Sequence, residues 1–421
     1  LVGGGRIAFY LARQLLVSGS LMFGMSAQQM SQGVFLARVA ESLGVGMGTI
    51  SMAYSTSTLV MLVMTPLAAK LYQKFPTKIL ACIAVVDQCV SLLLLSVAQS
   101  VGVIILGCVL ECFSISSFLN VMPSVLMKRW FRDRGQFAYN IILFISMLGG
   151  VVFTPVAGRI IETSGWRTAY QVLAAYILIV ELPMVIFLLK ADPADVGLKA
   201  YEDPEAARKQ TPSSRPVMNA NETTKDAWKS KYFYLVCLYS ITITYASTMQ
   251  NHLVKHLTNV GYSTMLGSTV LTAGLVGGLF GRVLLSYLGE KISLKATNAL
   301  YCSLGVIAAI ILCDAAQIST TLIIVMSFVF GMAVKVSTVQ STVLRYKVFG
   351  ASVDYVGITA NMAVCTNLIT ATSGTVFGMI YDHTGSYTGG FMLSITAFVL
   401  SVLLVFITLK GEKREQKRQA A

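Results

Sequence analysis

Charge is scarce in this chain. Only 12% of its 421 residues are Asp, Glu, Lys or Arg, about half the share of soluble domains, while 55% are hydrophobic and the mean hydropathy is +0.71. Histidine is limited to three residues. The eight cysteines, Cys82, Cys108, Cys237 and Cys365 among them, form no CxxC pair and have no neighbouring histidine, which argues against a zinc site or a disulfide framework. There is no Walker loop, no GxGxxG beside a strand, no HExxH and no GxSxG elbow. ATP-driven pumping and the common hydrolases therefore lack a motif, the chain is expected not to be an enzyme, and no cofactor or metal is expected.

What the chain has in abundance is long apolar runs of bilayer length. They cover roughly 11–38, 47–72, 79–98, 102–128, 136–160 and 168–189, then 232–257, 264–288, 294–313, 320–345, 355–380 and 388–409. Backbone amides in hydrocarbon must bond internally, and these runs are too long and too little alternating for barrel strands, so each is expected to be a helix. The fold class is an all-α polytopic membrane protein of twelve transmembrane helices in two six-helix bundles. The bundles span 1–190 and 232–410, separated by a polar linker over 191–231 and followed by a basic tail over 411–421.

The net charge of +13 is set by where the 32 Lys and Arg lie. With both termini and the linker on one side, that side holds about 26 of them, including Lys70, Lys74, Lys78, Lys128, Arg129, Arg132 and Arg134. The opposite side holds Arg38, Arg159, Arg167 and Lys255. The rule for such asymmetry puts both termini in the cytoplasm, with a plasma (inner) membrane location expected. The basic runs serve topology and lipid headgroups, and no nucleic-acid partner is expected. Lys128-Arg129-Trp130-Phe131 and Arg345-Tyr346-Lys347-Val348-Phe349 sit at equivalent helix ends, a trace of duplicated halves that fits a transporter.

A charge inside a span costs several kcal/mol by insertion scales, so ionisable residues there are functional candidates. Arg282 follows the glycine-rich run 274–281, where small residues let another helix approach. A guanidinium cannot shed its proton and presents a fork matched to carboxylates. It is read either as the anchor of a substrate carboxylate or as the partner of an intramembrane acid or of helix carbonyls. Lys335, midway along the tenth run, either adds a second positive charge to the site or is held neutral or paired. His252 is read as a substrate or proton contact, or as a packed polar histidine. Asn120 and Asn361 could bond a substrate or simply a neighbouring helix. Glu111, Asp87 and Glu181 are the candidates for proton coupling.

Several segments resemble one known family. They are Lys128-Arg129-Trp130-Phe131 with Arg134-Gly135, Thr154-Pro155, Gly165-Trp166-Arg167-Thr168-Ala169-Tyr170 and Asp192-Pro193-Ala194-Asp195-Val196-Gly197-Leu198. Gly33-Val34-Phe35, Gly281-Arg282 and the segment Tyr381 to Tyr387 support them. Together with the twelve runs they resemble the major facilitator superfamily, and in particular its monocarboxylate and oxalate:formate porter branch. The resemblance implies that Arg282 binds a substrate carboxylate, and it places Asn120 where relatives often hold a site-lining tyrosine. The chain departs from that pattern at Lys70 and Pro66, where the superfamily's loop motif has an acid and a glycine. It departs again at Gly278, where animal monocarboxylate transporters have an acid one turn before the arginine, and near Met30, where they carry a lysine. The eleventh-run lysine of the oxalate porter is replaced by neutral residues such as Asn361, Ala363 and Cys365.

The expectation is a secondary transporter of small organic anions working by alternating access, most simply a proton-coupled monocarboxylate symporter for a lactate-like substrate. A dicarboxylate or larger-anion carrier or exchanger is the alternative, because Arg282 and Lys335 can neutralise two carboxylates. A transporter-like membrane sensor is a remote third reading. The expected partners are the anion, protons and membrane lipids.

Overall fold

The computed structural model describes residues 2–131, 135–198, 224–288, 292–350, 352 and 354–419. The middle of the expected linker, 199–223, and the side chains of the basic tail lie outside the described residues. Among the described residues every regular element is helical. Twelve long segments follow one another: α1 (Val2–Leu43), α2 (Met47–Lys74), α3 (Thr77–Ser96), α4 (101–130), α5 (Gly135–Ser164) and α6 (166–188), then α7 (Lys231–Asn259), α8 (Thr264–Leu288), α9 (Leu294–Cys313), α10 (Thr320–Phe349), α11 (355–384) and α12 (Thr388–Gln419).

Ten of these are long and apolar enough to cross a membrane by length and composition. Large apolar side chains stand bare on their outer faces, with Val63 at 72% exposure and Ile179 and Phe187 at 71%. Each would forgo about 1.5–3 kcal/mol of burial in water, a cost that hydrocarbon removes. The two long helices outside the ten, α1 and α7, each lead a set of six. Their buried faces mix apolar residues with polar ones: Gln14, Ser18, Ser26, Gln28 and Ser31 on α1, and Ser240, Thr242, Thr248, Gln250 and His252 on α7. In a bundle surrounded by lipid, such side chains turn inward.

Three segments are interrupted. α4 pauses at Glu111 and widens into a π-helical stretch over Ser116–Val121, just before Pro123. α6 does the same over Ile177–Glu181, before Pro183. A proline lacks the N–H that would close one i→i−4 bond, and a π-bulge re-registers the ladder around the loss. α11 breaks between Thr370 and Ser373.

The chain divides into two compact units, Leu1–Val45 with Ala53–Ser213, and Gly46–Met52 with Ser214–Ala421. In the first, α1 and α5 pack closely because Gly149 and Gly150 leave room for Phe23 and Met30. Ser146 of α5 donates to the Met22 carbonyl at 3.3 Å. Gly165 turns the chain from α5 into α6 at φ 85°, a conformation that favours glycine. Two segments singled out from the sequence meet here: Phe35 stacks on Tyr170, with ring centroids 4.2 Å apart, and the Tyr170 and Tyr54 hydroxyls bond at 2.6 Å.

In the second unit α8 and α10 pack closely, glycine against glycine. Gly274 and Gly278, and Gly277 and Gly281, form two interleaved GxxxG pairs on α8 facing Ser327, Phe328, Gly331 and Met332 of α10. A Cβ on Gly277 would meet the Phe328 carbonyl, and one on Gly331 would meet the Gly274 backbone. Around this seam lies a core that includes Phe233, Tyr239, Phe330, Phe377, Tyr387, Phe391 and Phe398. All eight cysteines are free thiols.

Candidate solute-binding site

The glycine seam brings the two intramembrane cations together. Lys335 of α10 lies with its stem across Gly278 of α8, and Arg282 follows four residues after that glycine, one turn along the same helix. Both side chains are half-buried. Lys335 has no hydrogen bond or ion pair among the described residues. The aliphatic stem of Lys335 therefore fills the space left by the missing side chain at Gly278, the position where the resemblance would place an acid. Two like charges held together in an apolar bundle are stabilised most by an anion between them.

The other candidates take varied positions. His252 of α7 is 1% exposed; its Nδ1 lies 3.1 Å from the Tyr387 hydroxyl, and its ring stacks on Phe377 at 5.9 Å. Asn361 of α11 is half-buried, and Asn120 is exposed on the π-helical stretch of α4.

The three acids all belong to the first unit, and each has local company. Glu111, 4% exposed, accepts from Nε2 of Gln28 on α1. Asp87 accepts from the Ser114 backbone N–H at 3.2 Å and also from its hydroxyl. Glu181 is fully buried against Gly24, where any side chain would collide with its carboxylate, and it has no side-chain partner. Among the described residues none of the three is in an ion pair.

The sequence profile of the Major Facilitator Superfamily matches residues 17–346. The chain belongs to the major facilitator superfamily. It is a multi-pass integral membrane protein in contact with lipid, and its family and solved relatives are transporters rather than enzymes. Monocarboxylate transporter 12 of Rattus norvegicus is 26% identical over 320 residues, which is 70% of this chain and 64% of that protein. The chain thus spans less than two thirds of that relative's length. The solved nucleoside transporter NupG superposes over 95% of this chain and 98% of its own, with a TM-score of 0.69 and 13% identity. A bacterial homologue of the human lysosomal transporter Spinster, inward-facing and unoccupied, covers 95% of both chains with a TM-score of 0.67 and 12% identity. At such identity the structural likeness shows the superfamily fold alone.

Within that fold lie polar residues that reading the sequence did not single out as site candidates. Gln250 of α7 presents its Nε2 toward Gly274 at the seam, a buried amide nitrogen without a hydrogen-bond partner among the described residues. Asn298 of α9 donates to the Tyr239 hydroxyl at 2.7 Å and to Gln340 Oε1 at 3.0 Å. Arg345 of α10 donates to the hydroxyls of Ser240 and Ser341 at 3.1 and 3.2 Å. The available signal was the crowding of amides and hydroxyls on α7, α9 and α10.

Proposed function

We propose that the chain is a secondary transporter of a small organic anion, most simply a monocarboxylate, moved by alternating access with Arg282 gripping the carboxylate. The observation that carries the reading is the pairing of Arg282 and Lys335 on one glycine seam, a concentration of positive charge that an anion would neutralise. Arg282 supplies the bidentate fork, and Lys335 a second positive charge. His252 and Asn361 are assigned to the surrounding polar contacts, and Asn120 to a solute contact from the first unit. The name of the rat relative and the branch-specific segments support a monocarboxylate.

Proton symport fits the energetics. Carrying an anion against a negative interior costs about 2.3 kcal/mol per charge per 100 mV unless a cation accompanies it. Glu111, Asp87 and Glu181 are the proposed proton carriers; Glu181, fully buried without a side-chain partner, resembles a group held ready to exchange a proton. We assign the chain to the plasma membrane with both termini in the cytoplasm, on the loop charges.

A second reading is favoured by the same pairing: two cations suit a doubly charged anion or an exchanger. Uptake into proteoliposomes of labelled lactate in competition with mono- and dicarboxylates, with and without an inward proton gradient, separates the readings. Gradient-driven lactate flux resistant to dicarboxylates supports the first. Gradient-independent flux blocked by dicarboxylates supports the second, and absence of flux for every carboxylate removes both.

A further inference from the structure

The first unit carries a cavity of about 410 Å³ remote in sequence from the cation pair, lined at the ends of four helices. Lys74 closes α2, Thr77 and Lys78 open α3, Arg129 lies in the last turn of α4, and Lys190, Asp192 and Asp195 follow α6. Four cations thus face a space within the about 300–1,000 Å³ of small-molecule sites.

The two acids offset only part of that charge, leaving four cations against two anions. The segment Asp192 to Leu198 folds into a capped 3-10 turn: Asp192 Oδ1 accepts from the Ala194 N–H at 3.1 Å, and Asp195 Oδ2 accepts from the Asp192 N–H at 3.2 Å. Gly197 closes the turn at φ 71°. Each carboxylate is turned onto backbone, and among the described residues neither is in an ion pair with Lys74, Lys78, Arg129 or Lys190. Among the described residues Arg129 makes one bond, to the Thr77 hydroxyl at 3.3 Å, against the five donors of a guanidinium.

Two further features point to an anion. α3 enters through Pro76, which offers no side-chain cap, so the first N–H groups of a 20-residue helix open at the cavity with the positive end of its dipole. The floor is built: Tyr72 and Leu189 are buried, and Trp130 Nε1 donates to the Lys190 carbonyl at 3.1 Å, fixing the strand of chain that carries Lys190. Phe75 and Ile79 stand 53% and 55% exposed beside it, as they would at the hydrocarbon edge.

We infer that this pocket binds a phosphoryl group, held by Lys74, Lys78, Arg129 and Lys190 and by the opening turn of α3. The same chemistry is offered by the headgroup of an anionic phospholipid and by free phosphate. This site is independent of the transported solute and of Arg282.

The test uses the purified full chain in neutral detergent. Its unfolding temperature is titrated with inorganic phosphate, with dihexanoyl phosphatidic acid and with dihexanoyl phosphatidylcholine, all at constant ionic strength set by chloride. The parent is compared with Lys74→Gln/Lys78→Gln, with Lys78→Gln alone, and with Arg159→Gln as a charge control elsewhere. Because Lys74 is exposed, the unliganded transitions of the variants report whether they fold. Saturable stabilisation of the parent and of Arg159→Gln, with apparent affinity weakened at least about tenfold in the double variant, supports the site. Stabilisation by phosphatidic acid alone identifies the headgroup as the source, and stabilisation by inorganic phosphate as well identifies a phosphate site open to both. No shift with either ligand, a shift equal for phosphatidylcholine, or a shift unchanged in the double variant overturns the inference.

Discussion

A single methyl group placed at the α8–α10 seam tests whether the glycines set the distance between these helices. In Gly331→Ala the new Cβ meets the carbonyl, carbon and Cα of Gly274, all backbone atoms that no rotamer change can move. The helices must part or shift along the whole contact. Alanine gains about 1 kcal/mol over glycine in helix propensity, while forcing an extra methyl into a tight interface costs about 1–3 kcal/mol. The balance is a net loss of up to about 2 kcal/mol, together with displacement of Lys335 from Gly278, one turn further along. Gly102→Ala is the control: its Cβ finds only the Ser100 hydroxyl, at 3.8 Å, so propensity acts alone and the change is neutral or stabilising. Thermal unfolding of the purified variants should therefore show opposite signs for the same substitution, with solute uptake reduced only in Gly331→Ala. Equal stability of the two variants would refute the packing argument.

Three further outcomes are expected. Gly278→Asp sets a carboxylate against the Lys335 stem and within reach of Arg282, occupying the place of the anion; saturable uptake should fall at least about tenfold, and unchanged uptake would separate Lys335 from the site. Asp382→Ala removes acceptors 2.7 Å from the N–H groups of Met47 and Gly48 at the start of α2, both within the second unit. Hydrogen exchange of those amides should quicken to match a loss of about 0.5–2 kcal/mol, and unaltered protection would show the cap to be idle. Gln28→Leu strips Glu111 of its amide donor and should cost about 1–3 kcal/mol of stability, read by thermal unfolding against Gln29→Leu, which leaves that bond in place.

Much of the architecture was legible because bilayer thickness imposes a length on every spanning run. The twelve runs read from composition correspond one for one with α1–α12, and the glycine run before Arg282 announced a close helix contact. The partner of that contact was not legible. Periodicity assigns a face to a helix but no neighbour, so nothing in the sequence joined Lys335 to Gly278 across 57 positions. The pause at Glu111 and the π-helical stretches were equally hidden, since they depend on how the ladder closes around Pro123 and Pro183. His252, read as a substrate or proton contact or as a packed polar histidine, meets Tyr387 only in the fold, from 135 residues away. The segment Asp192 to Leu198 was noted only for its likeness to a family; its capped turn sets Asp192 and Asp195 at a cavity that Lys74, Lys78, Arg129 and Lys190 also line.

Initial-rate uptake of labelled lactate into proteoliposomes under an inward proton gradient tests the central claim most directly, comparing the parent with Arg282→Ala, Arg282→Lys and Arg159→Ala. The account predicts parental rates for Arg159→Ala, loss of saturable flux in Arg282→Ala, and no full recovery in Arg282→Lys, because an ammonium lacks the planar fork. Undiminished saturable flux in a folded Arg282→Ala protein would contradict it.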